Sequence, residues 1–311
     1  MEKFFTKKLN ILIISLICMA LWGSAFPVVK IGYELFEIET SDIFGKIYFA
    51  GLRFFIASMM VFLIHRIIFK KGIPISKYHV KPIIFLGLLQ TSLQYFFFYI
   101  GVANTTGIKS AILQSGSTFF VVVMAHFIYQ EDRLGLKGVI SLLLGFSGVV
   151  FVNLGKNLDS SFKITGEGFL IISSILSALA TLYVKTMPRD MSPFSSAGGQ
   201  MFTGSLLLLL IGKIGLKGNS INFNLRSVSL LLYAAFISAA AFTLWYMILK
   251  YNSPGKVTMY RLFIPIFGSV FSALFVKGEY FTMNLVIGLL LVVMGIGLLN
   301  IDSRKEATPL K

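Results

Sequence analysis

Two arginines, Arg53 and Arg261, sit inside long apolar stretches of this 311-residue chain. A charge at the centre of a membrane-crossing helix costs about 2.5–3.5 kcal/mol on insertion scales, so such a side chain faces protein or a water-filled cavity. No carboxylate lies at comparable depth. All 13 acidic residues, among them Glu34, Asp42, Asp132, Asp159, Glu167 and Glu279, fall between the apolar stretches or at their ends. The partners open to the arginines are therefore carbonyls, polar side chains, water or the anionic group of a ligand. A guanidinium holds a carboxylate by two parallel hydrogen bonds, which favours an anionic or zwitterionic small molecule. The competing reading is snorkelling toward headgroups with the stem packed on apolar neighbours.

Polar and aromatic residues accompany the arginines within the apolar stretches: Trp22, Gln90, Gln94, Tyr95, Tyr99, Gln114, Gln200, Trp245, Tyr246 and Tyr260. Gln90 and Gln94, and likewise Tyr95 and Tyr99, are four residues apart and share a helix face. Amides and phenols hydrogen-bond an amino or carboxyl group without a buried charge. The candidate binding set is Arg261, Gln114, Tyr95, Tyr99, Gln94, Trp22, Trp245, Tyr246, Tyr260 and Arg53. Bonding between helices, or an aromatic belt at the membrane interface, would explain the uncharged members equally well.

Other chemistry finds no support. Cys18 is the single cysteine, and His65, His79 and His126 are scattered, so neither a disulfide nor a metal-ligand spacing arises. His126 reads as a satisfied interfacial group. Intramembrane hydrolysis would need a nucleophile with a base, or a metal with its ligands, at mid-membrane depth. No phosphate-binding G-x-x-x-x-G-K-[ST] loop occurs. The chain does not read as an enzyme, and no cofactor is expected.

The elements that must position these residues are ten apolar runs, each near the roughly 20 residues a helix needs to cross a bilayer. They cover 11–31, 46–67, 82–101, 107–129, 137–154, 166–186, 195–216, 228–249, 256–276 and 283–300. With 56% hydrophobic and 13% charged residues, the composition suits an all-α polytopic membrane protein. A barrel is excluded because Ser205–Ile211 and Leu289–Val293 do not alternate. The first run continues through Trp22 to Ile31 with no small-residue cleavage site, which favours a retained helix over a signal peptide. Pro27 and Pro265 lie within runs 1 and 9, where proline bends a helix, whereas Pro82 and Pro193 are expected at helix starts. Small residues at Ser141, Gly145 and Gly148, and at Gly288, Gly295 and Gly297, suit close packing within one protomer or between two.

The net charge of +15 is explained by topology. With a cytosolic N-terminus, 17 Lys and Arg fall on the inner side, among them Lys70, Lys71, Arg133 and Lys250, and 9 on the outer side, among them Lys46, Lys213 and Arg226. That bias fits the positive-inside rule with both termini in the cytosol. No loop is long enough to fold into a basic nucleic-acid-binding module. The expected partners are the lipid bilayer and a small-molecule substrate, with a homo-oligomer left open.

A shift of 147 residues superposes the two halves from the third run onward. Tyr99 then falls on Tyr246, Lys109 on Lys256, Gln114 on Arg261, Gly148 on Gly295, Asn153 on Asn300 and Asp132 on Glu279. The coincidence of run boundaries carries more weight than any single identity. A five-helix unit reverses its orientation when repeated, so the expected domains, 11–154 and 166–300, form an inverted repeat. Such repeats enclose a substrate site near mid-membrane in secondary transporters.

At this point a family resemblance emerges. Leu21-Trp22-Gly23-Ser24-Ala25-Phe26-Pro27 resembles the entry segment of the EamA branch of the drug/metabolite transporter superfamily. Arg53, within GLRFFIAS, is similar to that branch's second-helix arginine, and RLFIPIFGSVFSALFVKGEY is similar to its proline-containing ninth helix ending in Gly-Glu. The resemblance implies ten transmembrane helices around a central cavity in the cytoplasmic membrane. It also implies export of small metabolites, often amino acids. The runner-up is exchange of phosphorylated metabolites or nucleotide sugars, though a phosphate dianion calls for more intramembrane cations than two. One departure is Thr118, which stands where the second half has Pro265, so the fourth helix lacks a proline bend.

Overall fold

The computed structural model describes residues 2–39, 41–104, 107–152, 162–216, 221–275 and 283–302. The expected residues Asn153, Asp159 and Glu279 lie outside them. Within a bilayer every backbone polar group must be satisfied internally, which apolar helices achieve by themselves. A short α1 (Glu2–Phe5) precedes α2 (Lys8–Leu35) and α3 (Ile43–Phe69). Next, α4 (Lys77–Leu86) passes through a π-helical stretch, Gly87–Leu93, into α5 (Gln94–Asn104). The first half ends with α6 (Gly107–Ile128) and α7 (Leu136–Val152). A π-helical turn, Ile164–Gly168, leads into α8 (Phe169–Thr186), followed by α9 (Pro193–Gly215) and α10 (Leu225–Tyr251). A short α11 (Pro254–Thr258), a 3-10 turn over Met259–Leu262 and α12 (Phe263–Phe275) form one interrupted segment before α13 (Met283–Asp302).

Every expected apolar run falls on one of these segments. By length and composition, seven segments suffice to cross a membrane: Lys8–Leu35, Ile43–Phe69, Lys77–Val102, Ile164–Thr186, Pro193–Gly215, Leu225–Tyr251 and Pro254–Phe275. Leu113–Ile128, Leu136–Phe151 and Val286–Gly295 are shorter apolar stretches.

The helix pairings follow the internal duplication. α3 packs on α9, and α7 on α13, each pair joining equivalent helices of the two halves. α2 packs on α10 and α12, while α8 packs on α5 and α6, which are the equivalents of α10 and α12. Exchanging the halves thus maps this set of contacts onto itself.

Glycines permit the closest crossings. A Cβ on Gly23, within the Trp-Gly segment of α2, would lie 2.5 Å from the Cβ of Phe267 on α12. A Cβ on Gly148 would lie 2.6 Å from the Gly288 carbonyl, and one on Gly295 2.6 Å from that of Ser141. The small-residue faces of α7 and α13 therefore meet each other within one chain.

Two sequence expectations need correction. Pro82 is not at a helix start: α4 begins at Lys77 and includes Pro82. Its first turn is closed by Ser76, whose N–H donates to His79 Nδ1 at 3.3 Å. The ninth segment is not α-helical throughout: it tightens into a 3-10 turn over Met259–Leu262, between α11 and α12, with the backbone staying right-handed. Pro265 lacks an N–H, and its ring would clash with the carbonyl four residues back, that of Arg261, so the chain tightens there. α6, with Thr118 at the equivalent place, runs without interruption.

At the end carrying α1, loops from both halves are tied together. Asp132 accepts hydrogen bonds from Ser253 Oγ and, at 2.9 Å, from the Gly255 N–H. Lys185 donates to the Asn252 carbonyl, Lys250 to that of Met191, and the Asn252 amide to that of Phe5. His126 Nδ1 accepts from the Leu134 N–H at 2.8 Å, as expected of a satisfied interfacial group.

Candidate functional site

Three hydroxyl residues one turn apart on α8, Ser173, Ser177 and Thr181, form a polar stripe, of which Ser177 and Thr181 meet Arg261. Ser173 donates to the Gln94 carbonyl at 3.0 Å and so fixes α8 against α5. Arg261 donates from Nη1 to Thr181 Oγ1 at 3.3 Å and from Nη2 to Ser177 Oγ at 3.1 Å. Its Nε is buried without a partner. Its guanidinium also lies over the Trp22 ring, 5.8 Å from the centroid. Among the described residues no carboxylate pairs with it. Neutral acceptors and a π-face thus hold a full positive charge, an arrangement that leaves the charge available to an incoming anion.

Aromatic side chains wall this cation. Trp22 meets Trp245 edge-on at 5.8 Å and Phe242 at 5.3 Å, and Phe242 in turn meets Tyr246 at 5.9 Å. Tyr246 is buried, its hydroxyl has no hydrogen-bond partner, and Tyr95 and Tyr246 both interact electrostatically with Arg261. Tyr95 lies within the field of both arginines.

Arg53 is anchored differently. Its Nε donates to the Ala234 carbonyl at 3.2 Å and to Ser238 Oγ at 2.9 Å, joining α3 to α10. Tyr99, on α5, lies near it. Arg53 is thus a structural tie as well as a buried cation, with no carboxylate paired to it among the described residues.

Between α6 and the Met259–Phe275 stretch lies a small cleft with about 30 Å³ of room. Gln114, Ser115, Ser117, Thr118, Arg261, Ile264 and Pro265 line it. Three lining pairs, Gln114 with Arg261, Ser117 with Ile264 and Thr118 with Pro265, are related by the 147-residue shift. Gln114 Oε1 is buried and unsatisfied, as is Arg261 Nε. An acceptor and a cationic donor without partners thus border one cavity.

Of the candidate set, Arg261, Gln114, Trp22, Trp245, Tyr246 and Tyr95 gather around this region, and Arg53 and Tyr99 adjoin it through Tyr95. Gln94 does not join them by its amide: its Oε1 accepts from Gln90 Nε2 across one turn of the π-helical stretch. Gln200 accepts from Thr91 Oγ1, bonding α9 to that stretch. Tyr260 is buried in the main apolar core. Sequence reasoning missed Ser177 and Thr181, whose signal was the four-residue spacing of hydroxyls along an otherwise apolar run.

An all-helical chain with these apolar spans, holding an unneutralised cation at a 3-10 turn, has the build of a multi-pass membrane transporter. Comparison with known proteins gives the family. The EamA-like transporter family model matches residues 9–154 and again 164–301, and the chain belongs to that family. It is similar to the uncharacterized transporter YoaV of Bacillus subtilis strain 168, with 26% identity over 89% of this chain and 91% of that protein. YetK of the same organism, also an uncharacterized transporter, is 28% identical over 89% of this chain and 83% of its own length. An uncharacterized transporter of Archaeoglobus fulgidus is 26% identical over 89% and 93% respectively. A solved crystal structure matches 97% of this chain and 100% of its own, with a TM-score of 0.77 and 13% identity, a likeness of fold alone. The chain is a transporter rather than an enzyme.

Proposed function

We propose that the chain is a secondary transporter moving small metabolites, amino acids or related zwitterions and anions, outward across the cytoplasmic membrane. In this reading ten helices form two inverted five-helix repeats, 11–154 and 166–300, around a central cavity, with both termini in the cytosol. The exchange of helix contacts between the halves supports the repeat, and the distribution of Lys and Arg supports the orientation. The observation that carries the substrate class is Arg261, held by Ser177 and Thr181 at a 3-10 turn, with its Nε and Gln114 Oε1 both unsatisfied beside one cleft. A substrate carboxylate completes the guanidinium, and an ammonium or hydroxyl donor completes the amide oxygen. Interrupted helices are where transporters of inverted-repeat build place their substrates. A second copy of the chain is not required, since the small faces of α7 and α13 meet within one protomer.

The test is counterflow in proteoliposomes, loading unlabelled and supplying labelled amino acids, nucleobases, sugars and organic cations in turn. Exchange confined to carboxylate-bearing compounds is expected. Exchange of organic cations alone would overturn the reading.

A further inference from the structure

Lys46 and Arg53 lie seven residues apart on α3, two turns and about 10.5 Å along one helix face. Both are buried, with only 6% and 4% of their surface exposed, although lysine and arginine are seldom so enclosed. The Lys46 ammonium sits over the Tyr33 ring, 5.5 Å from its centroid. Tyr33 meets Tyr99 edge-on at 6.4 Å. Tyr99 lies 6.1 Å from Tyr95, which packs at 4.5 Å on Phe54, and the Arg53 guanidinium lies over that Phe54 ring at 5.4 Å; Tyr95 also lies near Arg261. Lys46, Tyr33, Tyr99, Arg53, Tyr95 and Arg261 thus form a series of cations and phenols from the first turn of α3 to the 3-10 turn.

We propose that this series is an anion path between the outer end of α3 and the Arg261 cleft, with Arg53 and Tyr99 forming a second, transient station for a carboxylate. The proposal rests on reading Arg261 as the anion site. Three positive groups at graded depth lower the cost of bringing an anion through a low-dielectric wall, and the phenols between them donate hydrogen bonds without adding charge. Arg53 is fixed by α10 through Nε, so its charge stays in place as an anion passes. Asp42, one turn before Lys46, interacts electrostatically with it and tempers its charge. Its own side chain caps α3 by accepting from the Gly45 N–H at 2.8 Å. A tempered entry charge admits an anion without trapping it.

The protein supplies its own reporter. Its two tryptophans, Trp22 and Trp245, stand 5.8 Å apart beside Arg261. The full chain in lipid nanodiscs is titrated with iodide, an anionic quencher of tryptophan fluorescence, and separately with neutral acrylamide. Lys46→Gln is expected to lower the iodide quenching constant by about three- to tenfold, the effect of one screened charge at ~10 Å. Acrylamide quenching stays unchanged, and Lys46→Arg restores iodide quenching. If Lys46→Gln fails to fold, Tyr33→Phe carries the test, because it removes one hydroxyl of the series and keeps the ring; iodide quenching falls and acrylamide quenching does not. Undiminished iodide quenching in the tested variant, or an equal fall with both quenchers, overturns the path. Arg261→Gln separates the two ideas. Loss of iodide quenching there, with none on altering Lys46 or Tyr33, sinks the path alone, whereas no loss in Arg261→Gln sinks the anion site itself.

Discussion

Replacing Arg261 by glutamine separates binding from folding, because the structure assigns the two roles different energies. In the folded protein the guanidinium bonds two neutral hydroxyls and stacks on Trp22. Its removal ends those bonds but also ends the burial of a charge, a cost of about 2.5–3.5 kcal/mol at mid-membrane depth. Two bonds from a charged donor, about 1.5–3 kcal/mol each, offset that cost, so stability should change by only ~1–2 kcal/mol. Thr181 keeps a partner in any case, since its hydroxyl donates to the Ser177 carbonyl at 2.8 Å. Binding has no such compensation. Losing the charged hydrogen bond to a carboxylate removes about 1.5–3 kcal/mol, or about 10- to 150-fold in affinity. Arg261→Lys should fall between wild type and Arg261→Gln, because an ammonium lacks the planar fork. Affinity is read by substrate-induced quenching of Trp22 and Trp245 or by scintillation proximity, and folding by thermal unfolding in detergent. Unchanged affinity in a well-folded Arg261→Gln protein would refute the assignment.

Arg53→Gln should lower thermal stability by only ~1 kcal/mol, because losing the Nε bonds to Ala234 and Ser238 that join α3 to α10 is offset by ending the burial of a charge. A thermal unfolding curve identical to wild type would contradict that structural role. Reporter fusions after Lys311 and within Lys213–Arg226 should lie on opposite sides of the membrane, and a shared side would remove both the ten-helix count and the inverted repeat. Flux of a neutral zwitterion should depend weakly on an imposed pH gradient, since no carboxylate adjoins Arg261 among the described residues. Concentrative uptake driven by that gradient alone would speak against it. Gly148→Val should destabilise the chain by about 1–3 kcal/mol, because its Cβ would press on the Gly288 carbonyl; a wild-type melting temperature would show that α7 and α13 do not meet there.

The scaffold was legible because apolar length and charge distribution are properties of the sequence itself. Runs 11–31 and 228–249 lie within α2 and α10, and the structure extends both by several polar or interfacial residues that hydropathy does not register. The site was legible only in part. Arg261 and Gln114 stood out as polar residues in apolar runs at equivalent places, and both line the cleft. Gln94 looked the same in sequence, yet its partner is Gln90. The π-helical stretch Gly87–Leu93 alters which side chains face one another, and no residue pattern announced it. The 3-10 turn at Met259–Leu262 was half visible: Pro265 marks the place, but a simple bend and a tightened turn look alike until the backbone is seen. Ser177 and Thr181 passed unnoticed because a hydroxyl in a transmembrane run usually bonds its own helix, as Thr181 also does.

The cleft is built from equivalent positions with unequal chemistry, and on the proposed reading that inequality suits it to an unsymmetrical ligand. Were residue 114 also an arginine, two guanidinium groups would border one small cleft and repel each other. Were residue 261 also a glutamine, the cavity would lack the charge that selects a carboxylate. The same holds one turn further along, where Pro265 follows the 3-10 turn of the second-half segment and Thr118 leaves α6 whole. Packing elsewhere tolerates symmetry, and α7 meets α13 through small residues from both halves. Binding does not, because a substrate with a carboxylate at one end and a donor at the other is itself unsymmetrical. On the proposed reading, duplication supplied two similar walls, and divergence at 114/261 and 118/265 gives each wall a different end of the ligand to hold.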